Sequence, residues 1–135
     1  MATTLLLDTN VLVRFLTNDD PRKADRCDKL FRRAAKGEVT LRLSDVCLAE
    51  LVWTLESYYR LDRQDIAAKI TAVLNTDGFE AENETLWLDA MRRYAESNVD
   101  LMDAYHAAQA AQASWPVCSY DRDLDQFHDV QRVEP

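Results

Sequence analysis

Glycine and proline are scarce. Two glycines and three prolines in 135 residues leave little room for long flexible loops or low-complexity linkers. No run of eighteen apolar residues occurs, which excludes a membrane-spanning helix. The opening residues, MATTLLLDTN, hold no basic segment and reach an acid at Asp8. They do not read as a signal peptide, and a cytoplasmic protein is expected. Cys27, Cys47 and Cys118 are odd in number, far apart and without CxxC spacing. They read as buried, reduced thiols rather than a disulfide framework or a zinc site. No lysine follows Lys69.

What is abundant is acid. Asp and Glu number 24 against 16 Lys and Arg, a net charge of −8, the wrong sign for a general nucleic-acid binder. The charge is uneven. Residues 14–36 hold eight bases and four acids, so the rest of the chain carries all the net negative charge. Hydrophobic residues make up 47%, enough for a proper core, and the length suits one domain spanning residues 1–135.

TTLLLD reads as a short buried strand, and TNVLVRFLTNDD as a helix stopping at an Asn/Asp cluster. Pro21 suits the first turn of a second helix, 21–36, and Gly37 its end. In that helix Ala24, Cys27, Phe31 and Ala34 share one face. Arg22, Arg26, Lys29, Arg33 and Lys36 share the opposite one. VTLRLS alternates as a second strand. Helices follow over VCLAELVWTLESYYR (capped by Ser44 or Asp45), DRQDIAAKITAVLNT, NETLWLDAMRRYAES (capped by Asn83) and DLMDAYHAAQAAQAS. PVCSYD and VQRVE are further strands. Strands separated by helices predict an α/β fold with a parallel sheet.

In such a sheet, sites gather at the carboxyl ends of strands. Asp8 and Asp121 stand at two such ends. Glu50 sits mid-helix beside Val46, Cys47, Trp53 and Thr54, so it is not expected to face open water. Asp103 opens the Ala-rich helix, with Asp100 one turn before it. Each has a structural alternative. Asp8, Asp100 and Asp121 could cap helices or turns, Asp103 could answer the helix dipole, and Glu50 could pair with Arg60 or Arg63. Taken together, the four acids Asp8, Glu50, Asp103 and Asp121 suggest something else. Two carboxylates about 5 Å apart repel by roughly 3 kcal/mol at an effective dielectric near 20. A hard divalent cation, Mg²⁺ or Mn²⁺, relieves that repulsion, with Thr9 and Asn10 as donors that hold carboxylates and waters in place. A site of this kind suits phosphodiester hydrolysis.

The segments LLLDTNVLVRFLTNDDP, LSDVCLAELVWTLE, VDLMDAYHAAQA and VCSYDRDLDQF followed by VQRVEP resemble, in order and spacing, the motifs of PIN-domain proteins. The resemblance is to the VapC-type toxin ribonucleases of toxin–antitoxin pairs and covers nearly the whole chain. It implies a three-layer α/β/α sandwich with a central, mainly parallel sheet, and Mg²⁺- or Mn²⁺-dependent endoribonuclease activity. Asp8, Glu50, Asp103 and Asp121 match the family's acids. Ser119 stands where the family often has a small hydroxyl residue, and Asp100 is an additional acid of open role, cap or ligand. The resemblance also implies an RNA substrate, an antitoxin protein partner and a homodimer. It needs no His nucleophile, which leaves His106 and His128 as surface or packing residues.

The basic face Arg22, Arg26, Lys29, Arg33 and Lys36 could then hold RNA phosphates, or it could simply be solvated. The helix around Leu48, Leu51, Val52, Trp53, Leu55, Tyr58 and Tyr59 is apolar almost all round and could meet a partner. Two rival classes stand beside this reading. An aspartate-based phosphoryl-transfer domain would need either a late lysine or a second aspartate where Asn10 stands. A non-catalytic PIN-like binding module would use the acids as caps alone.

Overall fold

The computed structural model describes residues 3–135. The chain forms two compact units, one running to Glu84 and the other Thr85–Pro135. All strand pairing is parallel, as the alternation of strands and helices predicts.

In the first unit, β1 (Thr3–Leu6), β2 (Val39–Leu43) and β3 (Phe79–Ala81) form a sheet in the order β1-β2-β3. Thr3 pairs with Val39, and Leu41 with Phe79. Helices α1 (Thr9–Thr17) and α2 (Pro21–Ala35) connect β1 to β2. Helices α3 (Asp45–Ser57) and α4 (Arg63–Leu74) connect β2 to β3. β2 has the alternation its sequence promises: Val39, Leu41 and Leu43 are buried, while Thr40 and Arg42 are less so. The polar starts of the helices do their capping. Asp20 accepts from the Lys23 N–H, Ser44 from Cys47 and Asp62 from Asp65, each satisfying a donor that the first turn would otherwise orphan. Helix α2 buries the expected face, Ala24, Cys27, Phe31 and Ala34. Phe31 stacks edge-on against Phe15 at 4.7 Å and Phe79 at 5.0 Å between centroids. Gly37 follows α2 with φ +79°, the left-handed residue expected there. Gly78 has φ +94°, and a Cβ on it would lie 2.6 Å from Ala34. The turn into β3 therefore closes only because that side chain is missing.

In the second unit, α5 (Glu84–Glu96) and α6 (Leu101–Ala113) are followed by β4 (Val117–Cys118), a 3-10 turn at Arg122–Gln126 and β5 (Arg132–Val133). β4 and β5 pair in parallel. Trp87 and Tyr105 meet at 5.2 Å between ring centroids, and Leu124 anchors the 3-10 turn with 1% exposure. Asp100 caps α6. Arg93 is buried, yet its guanidinium bonds to Asp89 and to both oxygens of Asp129. Such pairing is what a buried cation requires.

Three sequence expectations need correction. β1 is not buried: it is the edge strand of its sheet, Leu5 and Leu6 are exposed, and the apolar residue entering the core is Leu7 just after it. Strand β3 has no counterpart in the sequence reading; three residues are too few to display alternation. Cys118 is exposed, whereas Cys27 and Cys47 are buried as expected. Asn83, just before α5, donates its amide N–H to the Asp45 carboxylate at 2.9 Å. No helix is long and apolar enough to cross a membrane among the described residues.

Candidate active site

In the first unit, Asp8 follows β1 and its sheet-bonded neighbour Leu7. Asp8 occupies the N-cap position of α1 with extended backbone, but its side chain makes no cap hydrogen bond. The capping alternative for Asp8 therefore fails: the helix places this carboxylate and does not use it. Behind it, Thr9 is buried, and its hydroxyl lies 3.4 Å from the Cys47 carbonyl. Thr9 was expected to hold a carboxylate or a water. Its contact ties α1 to the first turn of α3, the helix that carries Glu50, and Thr9 also lines the cleft that Asp8 faces.

Asp8 and Glu50 line one cleft of about 500 Å³, together with Asn10, Arg14, Asp19 and Tyr59. Glu50 is exposed, contrary to the expectation of an apolar surround. Val46 and Trp53, two of the neighbours that suggested burial, are themselves 77% and 47% exposed. Neither Asp8 nor Glu50 enters an ion pair within the described residues, so the pairing of Glu50 with Arg60 or Arg63 is not found. Among the described residues the cleft's one cation is Arg14, and it is committed to Asp19 at 3.1 and 3.2 Å. Asp19 also accepts from the Tyr59 hydroxyl at 2.5 Å. These bonds, Tyr59's first and Arg14's after it, hold the Asp19 carboxyl below the usual carboxylate range. Burial pushes the Cys47 thiol up, and the charges of Asp8 and Glu50 add to the effect.

In the second unit, Asp103 and Asp121 come together. Burial, a hydrogen bond with Asp121, and the charges of Asp100, Asp121 and Asp123 drive the Asp103 carboxyl from 3.8 up to about 6. Backbone donors fix the surrounding acids. Asp100 Oδ1 accepts from the Asp103 N–H at 2.9 Å, and Asp121 Oδ1 from the Asp123 N–H at 2.9 Å. The Asp121 N–H donates to Ser119 Oγ at 2.9 Å. Ser119 therefore sets the backbone of the loop on which Asp121 rides. The capping alternatives for Asp100 and Asp121 are real, but each uses one carboxylate oxygen and leaves the other.

The sequence-derived acids thus fall into two pairs, Asp8 with Glu50 in the first unit and Asp103 with Asp121 in the second. Among the described residues, no three Asp, Glu, His or Cys side chains form a ready ligand cluster for a metal ion. Sequence reasoning passed over Asp123, Arg14, Asp19 and Tyr59 as site residues. The run NDD was the one visible signal for Asp19; the partnership with Tyr59, forty positions away, left none.

The basic face divides. Lys29 pairs with Asp25, and Arg33 with Glu38. Arg22, Arg26 and Lys36 enter no ion pair within the described residues. His106 and His128 are both exposed. On α3, Leu48, Leu51, Val52 and Leu55 are fully buried, while Trp53 and the C-cap Tyr58 remain exposed.

The family model for the PIN domain matches residues 5–130. A VapC ribonuclease of Aquifex aeolicus (strain VF5) is 27% identical over 105 residues, which cover 78% of this chain and 77% of that protein. An acid placed but unused after β1, the parallel α/β fold and a family match over nearly the whole length agree: the chain belongs to the PIN-domain family.

Proposed function

We propose that this protein is a Mg²⁺- or Mn²⁺-dependent endoribonuclease, the toxin of a toxin–antitoxin pair, which hydrolyses RNA phosphodiester bonds. Asp8, Glu50, Asp103 and Asp121 are the acids on which activity depends. The observation that carries this reading is the pairing of acids without cations. Asp8 and Glu50 share a cleft whose one arginine is already taken. Asp103 keeps its place beside Asp121 with its carboxyl pushed up to about 6. A structural role would supply a counter-charge, as Arg93 supplies one for Asp89 and Asp129. Membership of the PIN family and similarity to a VapC ribonuclease support the reaction class.

The donor set is all hard oxygen, which fits Mg²⁺ or Mn²⁺ and not a soft metal. When bound, such an ion polarises a phosphoryl oxygen and lowers the pKa of a coordinated water. The chain's own residues do the positioning. Asp100 accepts from the Asp103 N–H, the Asp123 N–H holds the Asp121 carboxylate, Ser119 holds the Asp121 loop, and Thr9 joins the helix behind Asp8 to the one bearing Glu50. Asn10, on the lip of the first cleft, is a donor for substrate or water. Asp100 acts as the cap of α6 and as a charge beside Asp103. An antitoxin partner and a homodimer belong to the same proposal, supported by the uncovered Trp53 of α3 and Tyr58 just after it.

The test is cleavage of total cellular RNA by purified protein. Activity with Mg²⁺ or Mn²⁺ that stops with EDTA, and is lost in Asp8→Asn and in Asp103→Asn, is the expected result. Cleavage that persists in the double variant overturns the assignment.

A further inference from the structure

Beside the Asp8 cleft, α1 and α2 enclose a second groove of about 430 Å³, rimmed by Arg14, Lys23 and Arg26, with Val11 and Leu30 among its apolar walls. Asn10 and Arg14 belong to both, so the two run into one another. We propose that this groove holds a backbone phosphate of the RNA substrate next to the bond being cut. The inference rests on the ribonuclease reading and names the subsite that reading leaves open.

Three observations favour it. The acids of α2 are drawn to other cations, Asp25 to Lys29 and Asp28 to Arg32. Lys23 and Arg26 therefore face the groove without an ion-pair partner among the described residues. In a chain of net charge −8, two unmatched cations converging on one concavity with a third form a local site that a phosphate would neutralise. The apolar walls offer a surface for the attached nucleoside, which a free anion would not use. A protein partner is the competing occupant, but it would have to bring acids for these same cations.

The test compares two double variants that remove equal charge from α2. Lys23→Ala with Arg26→Ala empties the groove rim. Lys29→Ala with Arg33→Ala removes cations already engaged by Asp25 and Glu38. Binding of a fluorescein-labelled, mixed-sequence 12-nucleotide single-stranded RNA is followed by anisotropy in EDTA, so that no cleavage occurs, across a NaCl series. The groove variant should bind about tenfold more weakly, and its salt slope should fall by about 0.7, the value for one phosphate left without its cations. The control pair should change Kd less than about twofold. Equal losses in both pairs, or no loss in either, overturn the groove assignment. A groove filled by protein instead would leave RNA binding unchanged, which is the second of those results. Wild-type cleavage of total RNA with Mn²⁺ is run alongside. If wild type cleaves and the groove variant cleaves with unchanged KM, only the groove assignment fails. If wild type neither binds nor cleaves, the ribonuclease reading fails with it.

Discussion

Asp103 and Asp121 are close enough for the carboxyl of one to act on the other, and two ionised carboxylates so placed repel. A proton on Asp103 relieves that repulsion. Burial first, then the side-chain contact with Asp121 and the neighbouring charges, raise the Asp103 carboxyl to about 6.

This contact fixes a sign for the metal-free protein. An acid whose folded pKa lies above its unfolded value binds its proton more tightly when folded. Its stabilising contribution is full below about pH 4 and lost as pH rises through about 6. Asp103→Asn keeps a donor toward Asp121 without the charge. In EDTA at pH 7.5 it should therefore be more stable than wild type by about 1–2 kcal/mol, with the gap closing toward pH 4. Urea unfolding at the two pH values measures it; equal stability at pH 7.5 contradicts the contact.

Glu50 makes the opposite prediction, no effect on stability and a large one on activity. Its side chain is exposed and enters no ion pair within the described residues, so Glu50→Gln should alter unfolding by less than about 0.5 kcal/mol. RNA cleavage should fall about 100-fold, close to 3 kcal/mol of barrier. A variant that fails to fold would return Glu50 to a structural role.

Asp129 is a structural acid of the second unit, and its pH dependence runs the other way. The Arg93 guanidinium holds its carboxyl below the usual carboxylate range, so its stabilising effect is present above about pH 4 and lost as pH falls further. Arg93 is 3% exposed, and losing Asp129 leaves it with Asp89 and the face of Phe127. Asp129 is itself 57% exposed, so Asp129→Ala should cost about 1–2 kcal/mol at neutral pH. Thermal melts at pH 7 and pH 3 should show the deficit shrinking in acid.

Gly78 and Gly37 share a positive φ but not their surroundings. A Cβ on Gly78 meets Ala34 at 2.6 Å, whereas one on Gly37 meets nothing within 4 Å. Gly37→Ala should cost only the left-handed strain, about 1 kcal/mol, and Gly78→Ala about 2–4 kcal/mol with the clash added. Denaturation midpoints of the two variants give the comparison directly.

Much of the scaffold could be read along the chain. The apolar spacing of Ala24, Cys27, Phe31 and Ala34 placed one face of α2, and Ser44 and Asp100 announced the helices they cap. Such features are local: a cap bonds three residues on, and a helical face repeats every three or four. Glu50 was misjudged for the same reason. Helical neighbours tell which residues lie beside a side chain and not whether anything covers them. Here Val46 and Trp53 are left in the open, and Glu50 with them.

By itself the sequence determined which side chains could do chemistry. Acids stood after apolar strands and within apolar helices, where caps, dipoles and nearby bases did not account for all of them. Only the tertiary structure decided which were committed. It gave Arg14 to Asp19 and Tyr59, Thr9 to Cys47, and Lys29 to Asp25. It left Asp8 unused by the helix it begins, and Lys23 and Arg26 open on a groove. Hydrogen bonds and ion pairs act within a few ångströms of space, and the distance in sequence between Asp19 and Tyr59 says nothing about that.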